Sequence, residues 1–296
     1  MKILLTGANG FLGNYLKNEL KKSFVLKTLS RSSSDYNIDL LNKNILFNDK
    51  FDLVIHAAGK AHLVPCNEKE FNDFYETNVN GTLNLLEGLR VSGLPQKFVF
   101  ISSVSVYGLS DGFFINENSP LLANDAYGKS KIEAEKIIIN WCKQYNVKYT
   151  ILRLPLIIGS DPPGNLKTMI SAIKKGYYFN IAGGIAKKSM VLAKDIARFI
   201  ISSSDIGGIY NLTDGIHPSF NDLSKIISLK LNKRHPINMP KILALFLAKL
   251  GDVIGGDFPL NTIKYIKITS TLTFDDSKAR KAFFWNPDPV LENLII

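Results

Sequence analysis

Along the first half of the chain, apolar residues fall in short, nearly unbroken runs, each separated from the next by a polar or glycine-rich turn. Residues 2–6 (KILLT), 24–29 (FVLKTL), 52–56 (DLVIH), 97–102 (KFVFIS) and 148–154 (KYTILRL) have strand length and are rich in β-branched and aromatic side chains. Stretches at about 11–22, 69–92 and 127–145 read as helices between them. Strands joined by helical crossovers predict a parallel sheet covered on both faces, because an antiparallel sheet with one wet face would alternate apolar and polar residues.

Beyond Leu154 the pattern shortens. Pro155, Pro162, Pro163 and Gly164 interrupt the chain, and brief elements alternate with loops such as Ala182-Gly183-Gly184. The expected fold is therefore α/β: a doubly wound parallel sheet in residues 1–160, with residues 161–296 mainly a smaller substrate-binding lobe. Residues 208–212 (GIYNL) are open to returning to the sheet. The most apolar later stretch, Ile242 to Leu250, contains Lys249 and falls short of the ~20 residues of a membrane span. It predicts a helix over 242–254, core-facing in the favoured reading, with contact to a membrane surface or a partner the alternative. The N-terminal run is of strand length and has no cleavage site, so no signal peptide and a cytoplasmic protein are expected.

Composition narrows the classes. With 296 residues, 46% apolar and 21% charged, the chain has enough apolar side chains for a large core. The net charge of +10 suits an anionic ligand, a nucleic acid or an anionic membrane surface. The lysines are dispersed, as in Lys21-Lys22, Lys174-Lys175 and Lys187-Lys188, and no block of five or six marks a nucleic-acid tail. Nucleic acid is not an expected partner. Cys66 and Cys142 lie far apart with no CxxC spacing, and His56, His62, His217 and His235 show no paired ligand spacing, so no metal site is expected.

Two constellations carry chemistry. Thr6-Gly7-Ala8-Asn9-Gly10-Phe11-Leu12-Gly13 follows the first strand directly. Glycines there permit a tight turn, close approach of a pyrophosphate and close packing of helix on strand, with the diphosphate at the positive helix N-terminus. At the end of the second strand, where an acid would accept from a ribose diol, the chain has Ser30-Arg31-Ser32. Arg31 suits a 2′-phosphate, which favours NADP(H) over NAD(H), with Asp35 the nearest acid. Farther on, Tyr127 and Lys131 stand four apart on one helix face, downstream of Ser102-Ser103-Val104-Ser105 at a strand end. A tyrosine acting as base needs its pKa lowered by about 3 units, or about 4 kcal/mol, which an ammonium and a nicotinamide cation together are able to supply.

These motifs, with His56-Ala57-Ala58-Gly59, Asn78-Val79-Asn80-Gly81-Thr82 and Val106-Tyr107-Gly108, resemble the extended short-chain dehydrogenase/reductases. Within them the chain is similar to the NAD-dependent epimerase/dehydratase family, down to Trp285-Asn286-Pro287. The resemblance implies a Rossmann domain with Tyr127 as acid/base, Lys131 as its electrostatic partner and ribose ligand, and Ser103 as the hydroxyl that polarises the carbonyl, with Ser105 a weaker candidate. It implies cofactor contacts from Gly7, Asn9, Gly10, Phe11, Leu12, Gly13, Arg31, Asp39, Leu40, Ala57, Ala58 and Asn78, and substrate contacts from Asn165, Leu166 and Lys188.

Departures refine the expected reaction. Lys188 replaces the arginine usual in the 4-epimerases, Leu156 stands where they have an asparagine, and no Asp-Glu pair of the dehydratase kind follows Ser103. The 57–62 and 164–189 regions look closer to ketoreductases. The resemblance therefore implies reduction of a UDP-4-keto-6-deoxy-N-acetylhexosamine for surface polysaccharide. The alternatives are a UDP-glucose or UDP-GlcNAc 4-epimerase with retained NAD and, remotely, a non-catalytic dinucleotide-binding regulator. Family members often form homodimers through two helices, a role open to those at 69–92 and 127–145.

Overall fold

The computed structural model describes residues 1–61, 68–255, 258 and 260–296; His62 and Cys66 lie outside them. In chain order the elements are β1 (Lys2–Thr6), α1 (Phe11–Leu20), β2 (Val25–Ser30), β3 (Tyr36–Asn37), β4 (Leu53–His56), α2 (Glu68–Tyr75), α3 (Gly81–Ser92), β5 (Lys97–Ser103), β6 (Gly112–Ile115), α4 (Ala126–Gln144), β7 (Lys148–Leu154) and β8 (Leu156–Ile158). They continue as α5 (Asn165–Lys175), β9 (Asn180–Ile181), β10 (Met190–Leu192), α6 (Ala193–Ile206), β11 (Gly208–Asn211), α7 (Phe220–Lys230), β12 (Asn238–Met239), α8 (Lys241–Ile254), α9 (Thr262–Thr269), β13 (Leu272–Phe274) and α10 (Ser277–Phe283).

Seven parallel strands form the central sheet in the order β3-β2-β1-β4-β5-β7-β11. Successive residues of a strand point to opposite faces, and both faces are covered. Ile3, Leu5, Leu53, Ile55 and Val99 pack toward α1, α6 and α10. Leu4, Val54, Phe98 and Phe100 pack toward α3 and α4. This is why the strands read as continuous apolar runs. Residues 208–211 do return to the sheet, as its edge strand beside β7. A separate core of Ile158, Leu166, Met169, Met190, Leu223 and Val290 joins α5 and α7 to the C-terminal segment. The order reverses between β1 and β4, which opens a crevice at the carboxyl ends of those strands.

Two expectations are corrected. The helix at 69–92 is continuous but not uniformly α: α2 passes into α3 through a π-helical turn at Glu76–Asn80. Such turns are frequent at functional sites, and this one presents Asn78. The helix at 242–254 sends only Leu247 of its large apolar residues toward a core, the small one around Leu260 and Tyr265. Only Ala244, Ala248 and Gly251 of α8 are buried, while Ile242, Phe246 and Val253 are exposed. Its composition is apolar on most faces, so pattern alone does not say which face turns inward.

Candidate active site

The three glycines of the first turn do different things. Gly7 has φ +69° and passes so close to the β4 end that a Cβ would lie 2.6 Å from the Ala58 nitrogen. Gly13 sits where a Cβ would meet the Gly7 carbonyl at 2.0 Å, so α1 packs directly on the turn. Gly10 is the N-cap of α1 and supplies no side-chain cap, and the first turn of α1 holds no acid. The amides of Phe11, Leu12 and Gly13, which have no intrahelical acceptor, are therefore available to an anion. Phe11 also stacks edge-on with Tyr15, whose hydroxyl accepts the Ser160 amide at 2.6 Å and ties this helix end to the loop after β8.

At the end of β2, Asn9 donates to the Ser30 hydroxyl at 2.9 Å and to the Ser32 carbonyl at 2.7 Å, which fixes the loop bearing Arg31. Asp35 is not turned toward the crevice. Its carboxylate accepts the Thr28 amide at 2.9 Å and the Thr28 hydroxyl at 2.7 Å, and lies near Lys27. Arg31 is exposed and has no hydrogen-bond or ion-pair partner among the described residues. Asp39 is exposed and accepts the Leu41 amide at 3.0 Å, while Leu40 is buried against α3, its carbonyl held by Asn84 at 2.8 Å.

The floor of the crevice is a one-way chain of hydrogen bonds. Thr82 donates to the Asn78 carbonyl at 2.7 Å, so its oxygen accepts from His56 Nε2–H at 2.9 Å. His56 Nδ1 then accepts from Thr6 at 2.7 Å, and the Thr6 oxygen takes the Ala58 amide at 3.2 Å. This assigns the tautomer of a ring that burial, aided by the Lys131 charge, pushes down to about 3. The Asn78 side chain holds the Lys60 amide at 2.7 Å and donates to Lys60 O and to Ser130 Oγ. The loop Ala57-Ala58-Gly59 is thereby clamped from both ends. Gly59 keeps this approach close: a Cβ there would lie 3.0 Å from Asn78 Oδ1 and 3.3 Å from Lys131 Nζ, and both would have to shift.

Beside this floor, Ser103, Tyr127 and Lys131 come together. Asp125 caps α4 by accepting the Gly128 amide at 3.0 Å, which places Tyr127 in the first turn. Gly128 allows α4 to approach the loop after β5, since a Cβ there would lie 2.9 Å from the Ser105 carbonyl. Ser103, at the end of β5, accepts the Ser105 amide at 3.1 Å and donates to the Ser105 hydroxyl at 3.1 Å, and its hydroxyl lies close enough to the Tyr127 phenol to lower its pKa. Lys131 is buried, donates to the Ile101 carbonyl at 2.9 Å and lies 4.5 Å over the Phe100 ring. Burial holds its ammonium down at about 8, against the upward pull of Glu135.

Tyr127 itself is not lowered by the chain. Burial pushes its phenol up, the Ser103 hydrogen bond offsets only part of this, and Asp125 adds to the rise. The Lys131 ammonium is directed at Ile101 and Phe100, so the expected drop does not come from the protein alone.

Sequence reasoning missed the support behind this cluster. Glu135, one turn beyond Lys131, accepts two bonds from Arg153 of β7, at 3.1 and 2.8 Å, and the Ser102 hydroxyl at 2.5 Å. Arg153 continues to Tyr107 at 3.1 Å, and Tyr107 to Asn211 at 2.8 Å. The spacing Tyr127, Lys131, Glu135 carried the signal, since it marks one helix face.

On the far side, Asn165 and Leu166 open α5, whose first turn holds no acid. The Leu166 side chain is committed to the core, and its backbone amide, in the first turn of α5, has no intrahelical acceptor. The Lys188 ammonium has no partner among the described residues. Burial and the neighbouring Lys267 of α9 hold it down to about 8, while Asp111 pulls it up. Lys267 is a second cation that spacing did not reveal.

A glycine-lined turn at a sheet switch point, beside a Ser-Tyr-Lys cluster, is the arrangement of a dinucleotide-binding enzyme of the doubly wound α/β class. The NAD dependent epimerase/dehydratase family matches residues 3–212, and the chain belongs to it. It is an NAD(P)-dependent enzyme of sugar C4 chemistry. It is 26% identical to an N-acetyl-α-D-glucosaminyl-diphospho-ditrans,octacis-undecaprenol 4-epimerase of Escherichia coli O157:H7, over 99% of this chain and 92% of that one. It is also 26% identical to a UDP-glucose 4-epimerase of Vibrio cholerae, over 98% and 92%. The fold matches that of a UDP-glucose 4-epimerase from Thermotoga maritima with a TM-score of 0.77, at 20% identity, over 99% of this chain and 95% of that one.

Proposed function

We propose that the protein is a cytoplasmic, NADPH-dependent reductase of a 4-keto sugar carried on a diphosphate, in particular a UDP-4-keto-6-deoxy-N-acetylhexosamine, serving surface polysaccharide synthesis. The observation that carries the reading is at the end of β2: Asp35 is engaged by Thr28, while Arg31 stands free between two serines. A site without an acid and with an unpaired guanidinium suits a 2′-phosphate. A phosphorylated dinucleotide suits a reductant that is consumed and exchanged.

The residues fit this chemistry. Ser103 polarises the C4 carbonyl, and Tyr127, kept protonated by burial, donates its proton to the developing alkoxide. Lys131 has one donor committed to Ile101 and two left for a ribose. The bound dinucleotide supplies the hydride. The cradle of Gly7, Gly10 and the α1 amides would hold its diphosphate, and Lys188, Lys267 and the α5 amides the diphosphate of the sugar.

A second reading, 4-epimerisation with retained NAD, is supported by the two epimerases similar over nearly the whole chain. NMR of the purified protein with UDP-GlcNAc, UDP-glucose and a UDP-4-keto-6-deoxy-N-acetylhexosamine, with and without NADPH or NADH, separates the two. Consumption of the keto sugar and NADPH mole for mole is the expected result. Equilibration of UDP-GlcNAc or UDP-glucose with its C4 epimer, without loss of reductant, would overturn the reductase reading. Tyr127→Phe should lower kcat by about 10²–10⁴ under either reaction, whereas a non-catalytic regulator would be indifferent to it.

A further inference from the structure

Helix α8 is built inside out. Its protein-facing side carries the small residues Ala244, Ala248 and Gly251. Gly251 packs so closely that a Cβ would lie 2.0 Å from the Leu260 carbonyl. Apart from Leu247, which packs against the same small core, its large apolar residues point the other way: Ile242 is 85% exposed, Phe246 58% and Val253 86%, with Leu243, Leu245 and Ile254 also exposed. Ile263 and Ile266 of α9, which packs on α8, are exposed as well. Surface apolar residues are normal singly, but a contiguous face of this kind marks an interaction site.

The charges around it have one sign. Among the described residues from 233 to 267, Lys233, Arg234, Lys241, Lys249, Lys264 and Lys267 are the cations and Asp252 the acid. Asp252, the one acid on α8, is engaged by the amide and hydroxyl of Thr262. A symmetric contact with a second copy would set Lys241 and Lys249 against their own equivalents with no free carboxylate on the helix. An anionic lipid surface meets both the apolar face and its basic rim. At 14 residues α8 is about 21 Å long, and among the described residues no helix is long and apolar enough to cross a bilayer, so it would lie in the interface. A groove of about 380 Å³ lined by Ile181, Ala182, Ile185, Ala186, Lys241 and Thr269 adjoins the N-terminus of α8. Its residues Ala186 and Thr269 each stand two positions from the cations Lys188 and Lys267.

We propose that the outward face of α8 is a docking surface for an anionic bilayer, which brings the Lys188–Lys267 end of the active site to the headgroup layer. The inference does not depend on which reaction occurs at C4.

The test is co-sedimentation with vesicles of phosphatidylglycerol and phosphatidylcholine, beside vesicles of phosphatidylcholine alone. Wild type should bind the mixed vesicles, and Ile242→Ser/Phe246→Ser/Val253→Ser should lose at least about tenfold in partitioning while turning over soluble nucleotide sugar as before. These side chains are exposed, so the melting temperature should hold within about 2 °C. Lys241→Gln/Lys249→Gln should reduce the preference for phosphatidylglycerol. Phe246→Trp should gain a blue-shifted emission on vesicles, relative to the wild-type background. The proposal is overturned if wild type stays in the supernatant, if the triple variant sediments like wild type, or if the Phe246→Trp emission does not move. It is equally overturned if wild type ignores vesicles and forms a dimer that the triple substitution dissolves, which would make the face an interface between copies.

Discussion

Glu135→Gln tests the support of the catalytic cluster in one substitution. The carboxylate is 2% exposed and binds Arg153 through two hydrogen bonds, in a site that also holds Ser102. Removing one partner of a buried pair leaves the other charge uncompensated, at a cost of about 3–5 kcal/mol. Glutamine keeps the shape and one acceptor, so the low end, about 3 kcal/mol, is expected. For a chain of 296 residues that is a fall in Tm of roughly 5 °C.

The same substitution changes the chemistry. Burial holds Lys131 at about 8 and Glu135 opposes it, so losing the carboxylate lowers the ammonium further. Lys131 acts as a cation, and its charged fraction falls as pH rises. The alkaline limb of kcat should therefore move to lower pH, with a larger loss of activity at pH 8 than at pH 6.5. The assays are thermal melts and kcat between pH 6 and 9.5, on Glu135→Gln and on the double variant Glu135→Leu/Arg153→Met. An apolar pair of similar volume should recover most of the stability but not the alkaline limb. A Tm within 2 °C of wild type, or an unmoved alkaline limb in a destabilised variant, would refute the reasoning.

Three further outcomes follow from the geometry. Arg31→Ala should raise KM for NADPH by about 10- to 100-fold and leave KM for NADH within about threefold, since the lost contact is a charge-assisted bond to the 2′-phosphate; equal effects on both cofactors would remove Arg31 from the site. The Lys188 ammonium, held at about 8, should be raised by an anionic diphosphate, so KM for the sugar nucleotide should climb about tenfold per pH unit above 8. Lys188→Met should raise KM about 10- to 100-fold at pH 7 and abolish that climb. His56 is depressed to about 3, so the unfolded chain binds the extra proton below pH 6.5, and wild-type stability should fall by about 1.4 kcal/mol per pH unit there. His56→Leu removes that dependence while taking one hydrogen-bond partner each from Thr6 and Thr82. Its stability deficit, measured by urea denaturation, should narrow by about 3 kcal/mol between pH 6.5 and pH 4.

Much of the fold and the cluster follows from short-range pattern. The five runs from 2–6 to 148–154 became strands, because a strand buried on both faces needs only local apolar continuity. The turn of Gly7, Gly10 and Gly13 is equally local, and the four-residue interval of Tyr127 and Lys131 survives any packing of α4. Contacts between distant segments were decided only by the tertiary structure. Asp35 looked like a candidate ribose ligand until β2 and its loop folded it onto Thr28. Lys267 became a neighbour of Lys188 only when α9 packed beside the loop before β10. Glu135 acquired its meaning from Arg153 on another strand. The π-helical turn that carries Asn78 within the 69–92 helix places that side chain on Lys60 and Ser130, a contact that no helical periodicity contains. For α8, composition is apolar nearly all round. Which side faced inward was settled by how closely backbone meets backbone at Gly251 and Leu260, a steric fact that exists only once both segments are in place.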